Sequence, residues 1–211
     1  MHNGFDRLKS LHQENNAARR RLDGISPRFS RMAGRHENGT APRAVSAYQL
    51  FQTPPDLARQ LVESLCLTNS RPIRILEPSA GLGRLLDALG DGHEIVAVDI
   101  ALDCTSELAR QDRNNVQIYR GDFLCFSPHD LGGLFDAVVM NPPFHMRSDI
   151  RHIEHAITFL KPGGRLTAIC MDTPHRATAL RHLSRTWTPL PESAFKSEGT
   201  KVNTIHLTVK A

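Results

Sequence analysis

The chain has 211 residues, 40% of them apolar, with a formal net charge of +4. That length holds one α/β domain with a short extension and leaves too little for two full domains. No apolar run approaches the roughly 20 residues that cross a bilayer, and the opening MHNGFDRLKSLHQENN lacks the apolar centre of a secretory signal. The expectation is therefore a soluble, cytoplasmic protein with no membrane partner.

Residues 1–46 hold nine Lys and Arg against four acids, so this segment carries +5 and the remainder −1. A basic N-terminal extension on a near-neutral domain (47–211) points to a polyanion partner, or else to a solvated tail. Residues 4–22 carry a thin apolar stripe (Phe5, Leu8, Leu11, Leu22) and predict a marginal helix; 24–46, rich in Gly, Ser, Pro and Arg, predict an irregular linker. Cys66, Cys104, Cys125 and Cys170 are widely spaced, lie in or beside apolar segments and read as small buried thiols.

From residue 47 the pattern becomes regular. Thr53-Pro54-Pro55-Asp56 opens a helix whose stripe is Leu57, Leu61 and Leu65. Ile73 to Glu77 predicts a strand, Leu82 to Leu89 a helix, and Glu94 to Asp99 a second strand. A helix near Thr105–Gln111 follows, then a strand over Val116–Arg120 and a fourth over Phe135–Met140. Ile150 to Leu160 predicts a helix stopped by Lys161-Pro162-Gly163-Gly164, then a strand over Arg165–Met171 and a helix over Pro174–Leu183. Val202 to Val209 alternates and predicts a last strand or hairpin arm. Strands alternating with helices imply a doubly wound, mostly parallel sheet covered on both faces. Ligands bind such sheets at the carboxyl ends of the strands.

The unusual residues gather at those ends. Strand one runs into Glu77-Pro78-Ser79-Ala80-Gly81-Leu82-Gly83, a turn that brings backbone close to a ligand but is not the dinucleotide fingerprint. Strand two ends in Asp99, sixteen residues beyond Gly83, where an acid can accept from both hydroxyls of a ribose. Strand three runs into Gly121-Asp122-Phe123, a carboxylate beside an aromatic. Strand four runs into Asn141-Pro142-Pro143-Phe144, where stiff prolines fix an amide and a ring at a buried strand tip. Each has a plainer reading alone: Asn141 a turn cap, Asp122 a turn acid, Phe144 and Phe195 core aromatics. His152 and His155 lie three apart on a helix without a surrounding ligand cluster and read as a solvated face, so no metal is expected.

In this order the residues resemble class I S-adenosylmethionine-dependent methyltransferases, specifically the amino-methylating N6-adenine type in the short stand-alone form of phages and mobile elements. The resemblance covers roughly residues 47–211. It implies a Rossmann-like, seven-stranded sheet and S-adenosyl-L-methionine as cofactor. "FQTPPDLA" is similar to the leading cofactor motif, with Phe51, Thr53 and Pro54 bordering the methionine end. "LEPSAGLGRL" resembles the cofactor loop, with Glu77, Pro78, Ser79 and Gly81 toward the methionine and Gly83 at the helix entry. Asp99, with Ile100 beside it, matches the ribose acid, and Asp122 and Phe123 match the adenine pocket. "NPPF" matches the catalytic motif Asn141, Pro142, Pro143 and Phe144, with Asn141 also beside the cofactor. "SAFKSEGTKVNT" resembles the late motif in which an aromatic, here Phe195, holds the target base. His145, directly after NPPF, resembles the ribosomal guanine-N2 methyltransferases and is expected at the substrate rim.

The chemistry fits that motif. An exocyclic base amine is a poor nucleophile because its lone pair is delocalised into the ring. The Asn141 side-chain oxygen and the Pro142 carbonyl would accept its hydrogens, and Phe144 would stack on the base. The expected partner is nucleic acid, DNA ahead of RNA, with adenine N6 as the target; no oligomeric state is implied. The alternatives are an RNA adenine-N6 or guanine-N2 methyltransferase, a protein glutamine methyltransferase, which typically carries tyrosine where Phe144 stands, and a non-catalytic accessory.

Overall fold

The strand Arg74–Pro78 (β1) explains the layering. Its successive side chains point to opposite faces, and both faces are buried: Ile75 joins one apolar layer and Leu76 the other, each fully inaccessible. The same split divides Ile95 and Ala97 from Val96 and Val98 in Glu94–Asp99 (β2), and Ala137 and Val139 from Val138 and Met140 in Phe135–Met140 (β4). A strand buried on both faces needs a helix layer on each.

The computed structural model describes residues 51–67, 71–196 and 202–211. One layer comprises Pro55–Ser64 (α1), Arg84–Leu89 (α2) and Leu102–Arg110 (α3), which contribute Leu57, Leu61, Leu85, Leu86 and Leu108. The other comprises Ser148–Ile157 (α4) and Pro174–Leu180 (α5), which contribute Ile150, Ile153 and Leu180. With Val116–Arg120 (β3), Leu160–Met171 (β5), Thr186–Pro189 (β6) and Thr204–Lys210 (β7), the sheet has the order β3-β2-β1-β4-β5-β7-β6. Strands β1 to β5 are parallel, and β7 is antiparallel to both β5 and β6. This is the Rossmann-like methyltransferase fold. The strand order reverses between β1 and β4, which opens a crevice at their carboxyl ends.

Several expectations need correction. Strand β5 begins at Leu160, not Arg165: Leu160 pairs with Phe135 and Arg165 with Ala137, so Lys161–Gly164 bulge from the ladder instead of stopping a helix. The preceding helix already ends at Ile157. Strand β6 was not expected; it is four residues long, ends in Pro189 and lies at the sheet edge. Cys104 and Cys170 are buried, but Cys66 and Cys125 are exposed. The expected helix over 4–22 and linker over 24–46 lie outside the described residues. Among the described residues, no helix is long and apolar enough to cross a membrane.

Candidate functional site

A cleft of about 350 Å³ lies over the carboxyl ends of β1, β2, β3 and β4, a size suited to a small-molecule cofactor. Its first wall is the turn after β1. Ser79 takes a left-handed backbone (φ 81°), unusual for a residue with a Cβ. In that conformation the N–H groups of Ser79 and Ala80 both donate to the Val98 carbonyl, at 2.8 and 2.9 Å. Gly83 (φ 85°) then starts α2; a Cβ there would stand 2.8 Å from a Leu108 methyl.

This turn wraps Asp99. Gly81 N donates to Asp99 Oδ2 and Ala101 N to Asp99 Oδ1, each at 2.8 Å. A carboxylate has about four lone-pair sites, so two remain toward the cleft, enough for two vicinal hydroxyls. Glu77 is 1% exposed, and its Oε2 has no partner. Burial holds this carboxyl well above its ordinary value; Asp99 and Asp87 push it further and Arg113 opposes them. A buried acid with an unpartnered oxygen suits a cationic group, which would favour its charged form.

The third wall carries Asp122, whose Oδ1 accepts from Leu124 N at 3.0 Å, and Phe123. Here the solvated-face reading of α4 fails. His152 is 7% exposed and lines the cleft, with Nδ1 3.4 Å from Ser79 Oγ. Both histidines pack on the Phe123 ring, His155 at 4.9 Å and His152 at 5.8 Å between centroids. Desolvation by burial pulls His152 down to about 4, outweighing the opposite pull of Asp122. Among the described residues, no group of three or more His, Cys, Asp or Glu could hold a metal ion.

The fourth wall is the tip of β4. Asn141 Nδ2 donates to the Phe51 carbonyl at 2.9 Å and to Thr53 Oγ1 at 3.2 Å. Its Oδ1 is buried and without a partner. A carbonyl can only accept, so it fixes which end of the amide faces it and leaves the oxygen as an unpartnered acceptor of a residue on the cleft wall. Pro142, Pro143 and the exposed His145 line the same cleft, as do Phe51, Thr53 and Ile100. Pro54, Pro78 and Gly83 stand behind the wall, at the start of α1, the end of β1 and the start of α2.

Phe144 and Phe195 do not line it. Phe144 is 7% exposed, stacks on Phe51 at 6.0 Å, and shares a buried cluster with Phe195, which is 1% exposed. Phenyl rings gain most by leaving water, and here the core takes both. Of the phenyl rings on the cleft, Phe123 is buried and Phe51 is 37% exposed.

Sequence reasoning missed the pair that holds this tip. Asp149 is fully buried, and Arg176 nearly so. Arg176 Nε donates to Asp149 Oδ2 at 3.0 Å, and Nη2 to Asp149 Oδ1 and to the Phe144 carbonyl, both at 3.1 Å. Asp149 Oδ2 also accepts from Met171 N at 3.3 Å. The pair thus ties α4, the end of β5 and α5 to the last residue of Asn141–Phe144. Neither side chain lines the cleft. Twenty-seven residues separate the two, and no local pattern couples them.

The comparisons with known proteins follow this geometry. Residues 58–193 match the model of the "Methyltransferase small domain". The chain belongs to the methyltransferase small domain family. The chain is 32% identical over 126 residues to a ribosomal RNA small subunit methyltransferase C of Chromohalobacter salexigens, across 54% of the chain and 37% of that relative. The chain therefore spans little more than a third of the relative's length. A Listeria monocytogenes protein assigned to the class I S-adenosylmethionine-dependent methyltransferases superposes with a TM-score of 0.62 at 18% identity, over 80% of this chain and 62% of that one. The N-methyltransferase NodS of Bradyrhizobium japonicum, in complex with S-adenosyl-L-homocysteine, gives 0.57 at 16% identity, over 80% and 93%. The chain shares the fold of these class I methyltransferases, and its family implies S-adenosyl-L-methionine as cofactor. The residues fit that group: two buried, unpartnered oxygens, Glu77 Oε2 and Asn141 Oδ1, belong to residues that line the same cleft, and Asp99 keeps acceptor sites for a ribose.

Proposed function

We propose that this enzyme methylates the exocyclic 2-amino group of guanine in RNA. The observation that carries the reading is the Asn141 amide, whose N–H groups are tied to Phe51 and Thr53 while its oxygen stays open. In the proposed site Glu77 takes the ammonium of the cofactor, Asp99 its ribose hydroxyls, and Asp122 and Phe123 its adenine. When bound, the cofactor supplies an electrophilic methyl group on a sulfonium. Asn141 Oδ1 and the Pro142 carbonyl accept the two amine hydrogens and draw the nitrogen lone pair out of conjugation. The amine nitrogen would take that methyl group as it gives up one proton to solvent at the His145 rim of the cleft. Acceptors fixed in advance cost no reorganisation at that moment.

The same acceptors would serve an adenine 6-amino group, the target expected from the motif order. Two observations favour guanine and RNA: His145 directly after NPPF, as in ribosomal guanine-N2 methyltransferases, and the ribosomal RNA methyltransferase among the relatives. With Phe144 buried, stacking on the base falls to the exposed ring of Phe51. The test is transfer of labelled methyl to small-subunit ribosomal RNA, duplex DNA, single-stranded DNA and protein in parallel. The proposal expects label in RNA; label in DNA or protein alone overturns it.

A further inference from the structure

A second cavity, of about 430 Å³, lies at the opposite end of the sheet from the cofactor cleft. The strand registers explain its make-up. Arg165 pairs with Lys210, Thr167 and Thr186 both pair with Thr208, and Thr188 pairs with His206. Residues directly opposite in a ladder share a face, as do residues two apart. Three strands therefore lay cations and hydroxyls on one face, and the C-terminal end of α1 forms the far wall with Ser64.

Among the described residues no carboxylate lines this cavity, although the chain carries nearly as many acids as bases. Arg165, Arg185 and Lys210 all line it, and none forms an ion pair among the described residues. Arg165 is held in place by two backbone carbonyls, donating from Nη1 to Leu65 O at 2.7 Å and to Cys66 O at 3.0 Å. One of its edges is thereby fixed, and its remaining donors are open. Cations, hydroxyls and no carboxylate make a receptor for phosphate oxygens. The cavity is distant from the chemistry: Arg165 lies six residues before Met171 on β5, roughly 20 Å at strand rise.

We infer that this cavity holds phosphates of an RNA backbone, a second anchoring contact for the substrate on the far side of the sheet from the reacting base. The inference rests on the reading of the substrate as RNA. A neutral base contact alone gives little affinity, whereas each phosphate neutralised by Lys or Arg releases counterions and strengthens binding.

The test uses the full chain with Arg185→Gln and Lys210→Gln combined. RNA affinity is measured by fluorescence anisotropy across a salt series, beside a melting curve and cofactor affinity. Each lost contact is worth roughly tenfold near 0.1 M salt and about one unit of the log–log salt slope. The double variant should bind RNA roughly a hundredfold more weakly, with a slope shallower by about two, and should melt and bind cofactor as wild type does. Thr188→Glu keeps every cation and places a carboxylate in the cavity; it should also weaken RNA binding. Arg110→Gln, which loses a cation already paired with Glu107 outside the cavity, should leave the slope unchanged.

An unchanged slope in the double variant, or an equal change in Arg110→Gln, overturns the inference. So does inorganic phosphate stabilising the wild type but not the double variant while both bind RNA equally, since the cavity then takes free phosphate. The two readings fail separately. A methylated RNA bound by both proteins with one slope removes the anchor and keeps the substrate. RNA binding that is slope-sensitive but never followed by methyl transfer keeps the anchor and removes the substrate.

Discussion

Replacing Asp149 by Asn removes one charge of the buried pair and leaves the Arg176 guanidinium uncompensated at 8% exposure. The aspartate accepts from Arg176 Nε, Arg176 Nη2 and Met171 N. Breaking such a pair by removing one partner costs about 3–5 kcal/mol. At roughly 2–4 °C per kcal/mol for a domain of this size, the melting temperature should fall by about 6–20 °C. Arg176→Met should cost at least as much, because it strands both the fully buried carboxylate and the Phe144 carbonyl. The combination Asp149→Leu with Arg176→Met leaves no buried charge and should recover to within about 2 kcal/mol of wild type. Its turnover should nevertheless fall roughly tenfold or more, about 1.4 kcal/mol of transition-state stabilisation, because the end of Asn141–Phe144 loses its donor. Its cofactor affinity should not change, since neither side chain lines the cleft. Urea denaturation and single-turnover methyl transfer on the three variants make the measurement. A double variant as unstable as the summed singles refutes the charge argument, and one with full turnover refutes the positioning argument.

Asp99→Ala should weaken cofactor binding by about 1.5–3 kcal/mol, through lost charge-assisted hydrogen bonds and a loosened Gly81 turn; calorimetry on the folded variant checks this, and unchanged affinity removes Asp99 from the site. Glu77 has its folded value raised by burial, so the stability it contributes is fully present below its ordinary value of 4.5 and is lost as pH rises toward the folded one. Glu77→Gln should therefore match wild type in melting temperature near pH 4.5 and exceed it as pH rises above that, while losing cofactor affinity; a constant gap contradicts this. His152 has its folded value lowered to about 4 from 6.5, so its contribution is present above 6.5 and is lost as pH falls toward 4. Denaturant stability should drop across that window in wild type and drop less in His152→Gln; parallel curves would contradict the sign.

Most of the sheet was legible because β1, β2, β4 and β5 are near-continuous apolar runs that only a doubly covered strand can bury. Edge strand β6 was not, because Thr186-Trp187-Thr188-Pro189 is short and lies largely exposed. The acids and glycines at the strand tips were legible in place, since strand ends fix where Glu77, Asp99, Asp122 and Asn141 stand. The directions of side chains off those tips were not. Phe144 follows Asn141 by three residues, yet its ring turns into the core while His145 stays on the cleft. His152 and His155 looked solvated by spacing on α4, but the Phe123 ring covers that side. Such burial is set by pairings 27 or more residues apart, which no local period encodes.

If Asn141 Oδ1 receives a guanine 2-amino hydrogen, the methylated nucleoside identifies it. Ribosomal RNA methylated with labelled cofactor is digested to nucleosides and analysed by mass spectrometry, beside RNA in which inosine, which lacks the 2-amino group, replaces guanosine. The expected result is N2-methylguanosine, no transfer to the inosine RNA, and no product from Asn141→Ala although it binds cofactor as wild type does. N6-methyladenosine as the product, undiminished transfer to the inosine RNA, or full turnover by Asn141→Ala would contradict it.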